Sequence, residues 1–151
     1  MSSNSESEQH PMLPSGYWTG FYVYAHSAER HEMMIMLDFM QGNISGDGSD
    51  DIGTFTFDGT YNLSSMTCQF IKHYRAHSID YHGHIDENGI WGKWYFMPGP
   101  TMSKSDFEML QRLVPNRITG GFHIWPSNKE FSEYELEMRK VKEEEVVKEV
   151  G

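Results

Sequence analysis

The chain reads as an all-β protein: a closed antiparallel up-and-down barrel of about eight strands, with one short helix inserted before the last strands. Three observations predict this. Short runs rich in aromatic and β-branched residues succeed one another, each bounded by turn-forming residues. Only residues 103–113 carry apolar side chains at helical spacing, so the alternating rhythm of a parallel sheet is missing. The turns between runs are short and sequential, which favours a meander, and closure removes the sheet edges that would template aggregation.

The elements follow in order. Residues 18–24 (WTGFYVY) form the first predicted strand and residues 33–40 (MMIMLDFM) the second, which ends at the turn Gln41-Gly42-Asn43. A short extended piece is expected at 44–46. Residues 53–61 (GTFTFDGTY) alternate, with Phe55 and Phe57 on one face and Thr54, Thr56 and Asp58 on the other. Residues 67–74 (TCQFIKHY) and 78–86 (SIDYHGHID) come next. Asn88-Gly89 is a strong hairpin signal, because both residues tolerate positive φ, and it leads into 90–96 (IWGKWYF). Residues 119–125 (TGGFHIW) and 132–141 complete the set. In the last, Tyr134, Leu136 and Met138 alternate with Glu133, Glu135 and Glu137. The helix is marked by Ser105 followed by Glu108, a capping-box pattern, by Phe107, Leu110 and Leu113 on one face, and by Pro115 as its stop.

At 151 residues this is one domain, large enough to bury a core without disulfides or a structural metal. Residues 1–14 are expected to be a mobile polar tail, 15–142 the barrel, and 143–151 an acidic tail. With 12 Lys+Arg against 22 Asp+Glu, the net charge of −10 excludes nucleic acid and anionic membrane as main partners. The single Cys68 admits no internal disulfide, and with no apolar run near bilayer length the expected location is the cytoplasm.

The stretch SGDGSDDIGTF at 45–55 poses a specific question. Counted from Asp47 as a calcium loop, Ser49, Asp51 and Asp58 fall at ligand positions, but the sixth place is Ile52, where the sharp turn needs glycine. No Lys-Ser/Thr follows to make a phosphate loop. It reads as a turn whose glycines supply the backbone conformation and whose aspartates cap backbone N–H groups.

Gly16-Tyr17-Trp18 resembles the Gly-x-Trp signature that opens the barrel in lipocalins, where the tryptophan closes one end and packs on a late basic side chain; Arg139 is the counterpart here. HYRAHSIDYHG (73–83) is similar to a segment of avidin-like barrels, with Tyr74-Arg75 and His77-Ser78 in matching order. Together these resemblances imply the calycin architecture over residues 16–141, with a ligand cavity at one mouth. Asp80 and Tyr81-His82 replace the avidin threonines and tryptophan, so no biotin site is implied.

Three sets of residues bear on function. Four Trp, eight Tyr and nine Phe suit a cavity with flat apolar walls and hydrogen-bonding tips. Trp18 is assigned as barrel-end plug, and Tyr22, Tyr81 and Trp94 as wall. Lys72 shares a strand face with Cys68, Phe70 and Tyr74 and is expected inside, paired with a carboxylate such as Asp80. Lys72 and His123 are taken as polar anchors for a ligand. The third set is the histidines: His82 and His84 share a face and suit a metal, and His123, between Phe122 and Ile124, suits a haem. Cys68 has no activating cation nearby in sequence and reads as a buried inert thiol.

The leading expectation is non-catalytic binding of a small apolar or aromatic ligand in the barrel cavity, with no cofactor. One alternative is a packed barrel acting as an interaction module or homo-oligomer through an outer Met-aromatic face. Another is a metal or haem barrel using the histidines.

Overall fold

The computed structural model describes residues 9–128, together with Glu137 and Lys140. The predicted strand at 132–141, Arg139 and the acidic tail lie outside those described residues or, like Glu137, stand alone among undescribed ones. A small hairpin comes first, β1 (Gln9–His10) and β2 (Leu13–Pro14). Eight longer strands follow: β3 (Gly16–Tyr24), β4 (His31–Met40), β5 (Asn43–Ser49), β6 (Thr54–Asn62), β7 (Thr67–His73), β8 (Ser78–Asp86), β9 (Gly89–Met97) and β10 (Thr119–Pro126). Each pairs antiparallel with the next, and β10 pairs with β3, so the sheet closes into an eight-stranded barrel. Phe122 of β10 lies opposite Tyr22 on one side and Gly92 on the other.

The period of two sorts the side chains as strands demand. On β4, Met33, Ile35, Leu37 and Phe39 are buried while Met34 and Met36 face out. On β6, Phe55, Phe57 and Tyr61 point in and Thr54, Thr56 and Asp58 point out. The middle of the barrel is filled by rings: Phe70 stacks on Tyr81 with centroids 5.1 Å apart, and Phe122 meets Tyr81 edge-on at 4.7 Å.

Two turns differ from expectation. Residues 45–49 are strand, not loop: Gly46 and Gly48 pair with Leu37 and Ile35, and the turn is confined to residues 50–53. The extended piece expected at 44–46 is therefore a full strand, which supplies the eighth member of the barrel. At the β8–β9 hairpin Asp86 pairs with Gly89, so the turn residues are Glu87-Asn88, and positive φ falls on Gly89 alone.

α1 (Lys104–Leu113) stands between β9 and β10. Its cap is Ser103, whose side chain accepts from the Asp106 N–H at 3.1 Å, two residues earlier than the Ser105 pattern suggests. Phe107 stacks on Phe96 of β9 at 6.2 Å, and no residue of the helix is buried.

One end of the barrel is sealed. Residues 9–14, assigned by composition to the polar tail, fold as β1 and β2 because Leu13 has an apolar site to fill. Its side chain is fully buried in the core, worth roughly 1.5–3 kcal/mol for a leucine. Trp18 is buried beside it, donates from Nε1 to the Pro14 carbonyl at 2.8 Å, and packs on Phe39 at 5.5 Å.

Inward-facing glycines let the strands crowd together. Gly20 lies between Trp18 and Tyr22, and a Cβ there would stand 2.1 Å from the His123 carbonyl oxygen of β10. Gly20→Ala is expected to cost about 1–3 kcal/mol through overpacking against backbone. An unchanged midpoint in urea denaturation would show that the strands are not so close.

Candidate functional site

The opposite end is the open mouth, ringed by residues 25–30, 50–53, 74–77 and 98–118. Beneath it lies a cavity of about 180 Å³, walled by Tyr22, Tyr24, Tyr74, Ile79, Tyr81, Trp94 and Phe96, with Lys72, Ile52, His77 and Arg117 completing it.

Strand parity carries Lys72 inward on β7, and its side chain is 1% exposed. An ammonium so placed needs a counter-charge and full hydrogen bonding. Its partner is Asp50, not Asp80: Nζ donates to Asp50 Oδ2 at 2.5 Å, to the Tyr81 hydroxyl at 3.2 Å and to Met33 Sδ at 3.2 Å. Those contacts match its three N–H donors. Rings complete the enclosure, with Nζ 4.4 Å from the Phe55 centroid, 4.9 Å from Tyr22 and 5.0 Å from Tyr74. Asp80 could not have served, because it alternates with Ile79 and Tyr81 and so faces out, where it binds Gln69 and His82.

Asp50 is itself fully buried, and it organises the turn. Its Oδ1 accepts from the Ile52 N–H at 2.9 Å and the Gly53 N–H at 3.3 Å, the capping role expected of the Gly-Asp stretch. Its Oδ2 also accepts from the Tyr74 hydroxyl. Asp51 faces the other side of the mouth, accepting from the Tyr22 hydroxyl at 2.6 Å and meeting His31 Nδ1 at 2.6 Å. Tyr22 stacks on His31 at 4.8 Å. The turn is thus pinned over the mouth from two sides.

These contacts shift several protonation equilibria. Burial pulls Lys72 down to about 8, against the raising influence of Asp50. Burial, reinforced by their hydrogen bonds to Asp51 and Asp50, pushes the hydroxyls of Tyr22 and Tyr74 above the ordinary tyrosine range. Tyr81 is raised by burial and by the negative charge of Asp50. Burial works against the charge of Asp51, but the bonds from Tyr22 and His31 outweigh it and hold the carboxyl low.

The predicted site residues divide cleanly. Tyr22, Lys72, Tyr81 and Trp94 meet at the cavity, where Trp94 is fixed by donating from Nε1 to the Val23 carbonyl at 3.1 Å. Trp18 lies at the sealed end and does not line it. His123 does not line it either: it alternates with Phe122 and Ile124 and so stands on the barrel's outer side, between Phe21 and Trp125, with Nε2 2.7 Å from the Asn88 carbonyl. The same parity places His82 and His84 outside, His82 at 2.9 Å from Asp80 and His84 against Trp91. Among the described residues no three His, Cys, Asp or Glu side chains gather as a metal site. Cys68 is buried, which pushes its thiol up to about 12.

Asp50, Asp51, Tyr24, His77, Phe96 and Arg117 are the mouth residues that sequence reasoning passed over. Phe96 follows from the parity of Trp94, and Tyr24 from that of Tyr22. The others sit on loops, where no period applies. These features define a class: a closed eight-stranded antiparallel barrel, sealed at one end, with an aromatic mouth latched by a buried ion pair. Compared with protein-family models, curated proteins and solved structures, the chain matches none.

Asp50→Asn is expected to lower stability by about 3–5 kcal/mol, because it leaves a buried ammonium without its counter-charge. Adding Lys72→Met should restore most of the loss; equal urea midpoints for single and double variants would refute the pairing. Stability should also respond to pH with two opposite signs. From about pH 8 to 10.5 the unfolded chain holds the Lys72 proton that the folded chain has released, so Lys72 makes stability rise. Above about pH 10 the unfolded tyrosines ionise while Tyr22, Tyr74 and Tyr81 stay protonated, so their contribution falls. Phenolate absorbance should reveal tyrosines that titrate only on unfolding.

Proposed function

We propose that this barrel binds one small apolar or aromatic ligand, of about a single ring, in its open mouth, and performs no chemistry on it. The observation that carries this reading is the aromatic-walled space of about 180 Å³ left at one end of an interior otherwise filled with rings. Drug-sized sites enclose roughly 300–1,000 Å³, whereas an apolar cavity of about 150 Å³ takes up benzene. Lys72, whose donors are met within the protein, serves this reading as the holder of the Asp50 turn rather than as a ligand anchor. The calycin likeness belongs to the same reading: Trp18 at the sealed end supports it, as does the position of the cavity at the other mouth.

Benzyl alcohol added to the full chain should perturb the NMR signals of Trp94, Phe96 and His77, and Ile79→Trp, which fills the cavity, should abolish the effect. Perturbation confined to other residues, or none, would sink the proposal. A second reading, an assembly module, has its own support on the outer surface. Tyr17 is 70% and Met34 72% exposed, and Tyr17 lies directly opposite Met36 on the neighbouring strand. A sedimentation mass that stays monomeric as concentration rises would count against self-association through that face.

A further inference from the structure

Resting on the cavity reading above, we infer that the ligand is a monocyclic aromatic carboxylate, its ring held inside the mouth and its anionic end at the rim beside Arg117 and His77. The placement of polar groups points to this. Within the cavity nearly every strong donor and acceptor is already used. Lys72 has three partners, Asp50 has four, and the hydroxyls of Tyr22 and Tyr74 are given to Asp51 and Asp50. A ligand that carried its polar end inward would have to break this network.

The rim is different. The Arg117 guanidinium lies 4.5 Å from the centre of the Tyr24 ring, and among the described residues no carboxylate pairs with it. That is unexpected in a chain where 22 acids face 12 bases, since most cations have acidic neighbours to choose from. His77 is clamped between Tyr74, at 4.7 Å, and Phe96, at 5.7 Å, and its ring nitrogens have no hydrogen-bond partner among the described residues. Asp50 and Asp51, the acids of the mouth turn, are turned to Lys72, Tyr74, Tyr22 and His31. The mouth therefore offers an aromatic-walled apolar space below and uncommitted donors above. A guanidinium presents the forked donors that match a carboxylate, and resting on Tyr24 it is held in place for that purpose.

The test uses the full chain and three probes of one size, benzoate, benzyl alcohol and benzylamine, titrated by isothermal calorimetry. Benzoate should bind best. Arg117→Gln should weaken benzoate about tenfold, as loss of a charge-assisted bond requires, and affect benzyl alcohol far less. Arg112→Gln, which removes an exposed charge of α1 that does not line the cavity, should leave both unchanged. If benzyl alcohol or benzylamine binds as well as benzoate, or if Arg117→Gln leaves benzoate unaffected, the anion assignment falls while the cavity reading stands. If none of the three binds, both fall.

Discussion

The arrangement of the mouth depends on one ammonium carried into the barrel. Strand parity leaves Lys72 no choice: a residue that alternates with Ile71 and His73 beside Phe70 and Cys68 must point inward. Once there, its charge needs a carboxylate, and the carboxylate has to arrive from a loop, because the neighbouring inward positions are apolar. Asp50 supplies it. The four-residue turn is therefore drawn over the opening, and Tyr74, Tyr22 and Ile52 are placed by the same act. A buried pair of this kind contributes little net stability compared with apolar replacements; what it confers is position.

Below the mouth, packing obeys a different constraint. Large rings at Phe57, Phe70, Tyr81 and Phe122 occupy the axis, and a barrel of eight strands has room for them only if other inward positions are empty of side chains. Gly20, Gly83 and Gly92 meet that need. Gly83 and Gly92 face one another across β8 and β9, and a Cβ on Gly83 would lie 2.6 Å from Ile90 Cγ2. Rings and glycines are two halves of one filling pattern, and the unfilled space that remains lies at the end where the loops, not the strands, set the boundary.

How much of this was readable in advance follows from which interactions are local. Alternation is local, so Phe55 with Phe57, and Lys72 with Phe70 and Cys68, were placed on their proper faces from sequence. The same rule, applied to His123 between Phe122 and Ile124, puts it outside; its apolar neighbours invited the opposite reading, although in a strand adjacent residues never share a face. Gly46 and Gly48 looked like turn residues because glycine frequency marks turns. In a tightly coiled strand glycine has another use, leaving room for Leu37 and Phe55, and composition does not separate the two. The Lys72–Asp50 pair joins residues 22 apart in sequence, and no pattern short of the closed barrel brings them together. Arg117 ends a single 3-10 turn (Pro115–Arg117) after the helix, too short for either period to show.

Leu13 and Trp18 close one end of the barrel, so among the described residues the cavity opens at the other. For the proposed ligand, two guests could not pass one another there, so an incoming molecule could not push out one in residence; it would have to wait. Exchange would then proceed at the pace at which the occupant leaves, whatever the concentration of its competitor. The orientation of entry would also be preserved at exit: the end that enters last would leave first, and while the guest is held that end would be the part turned toward any other protein.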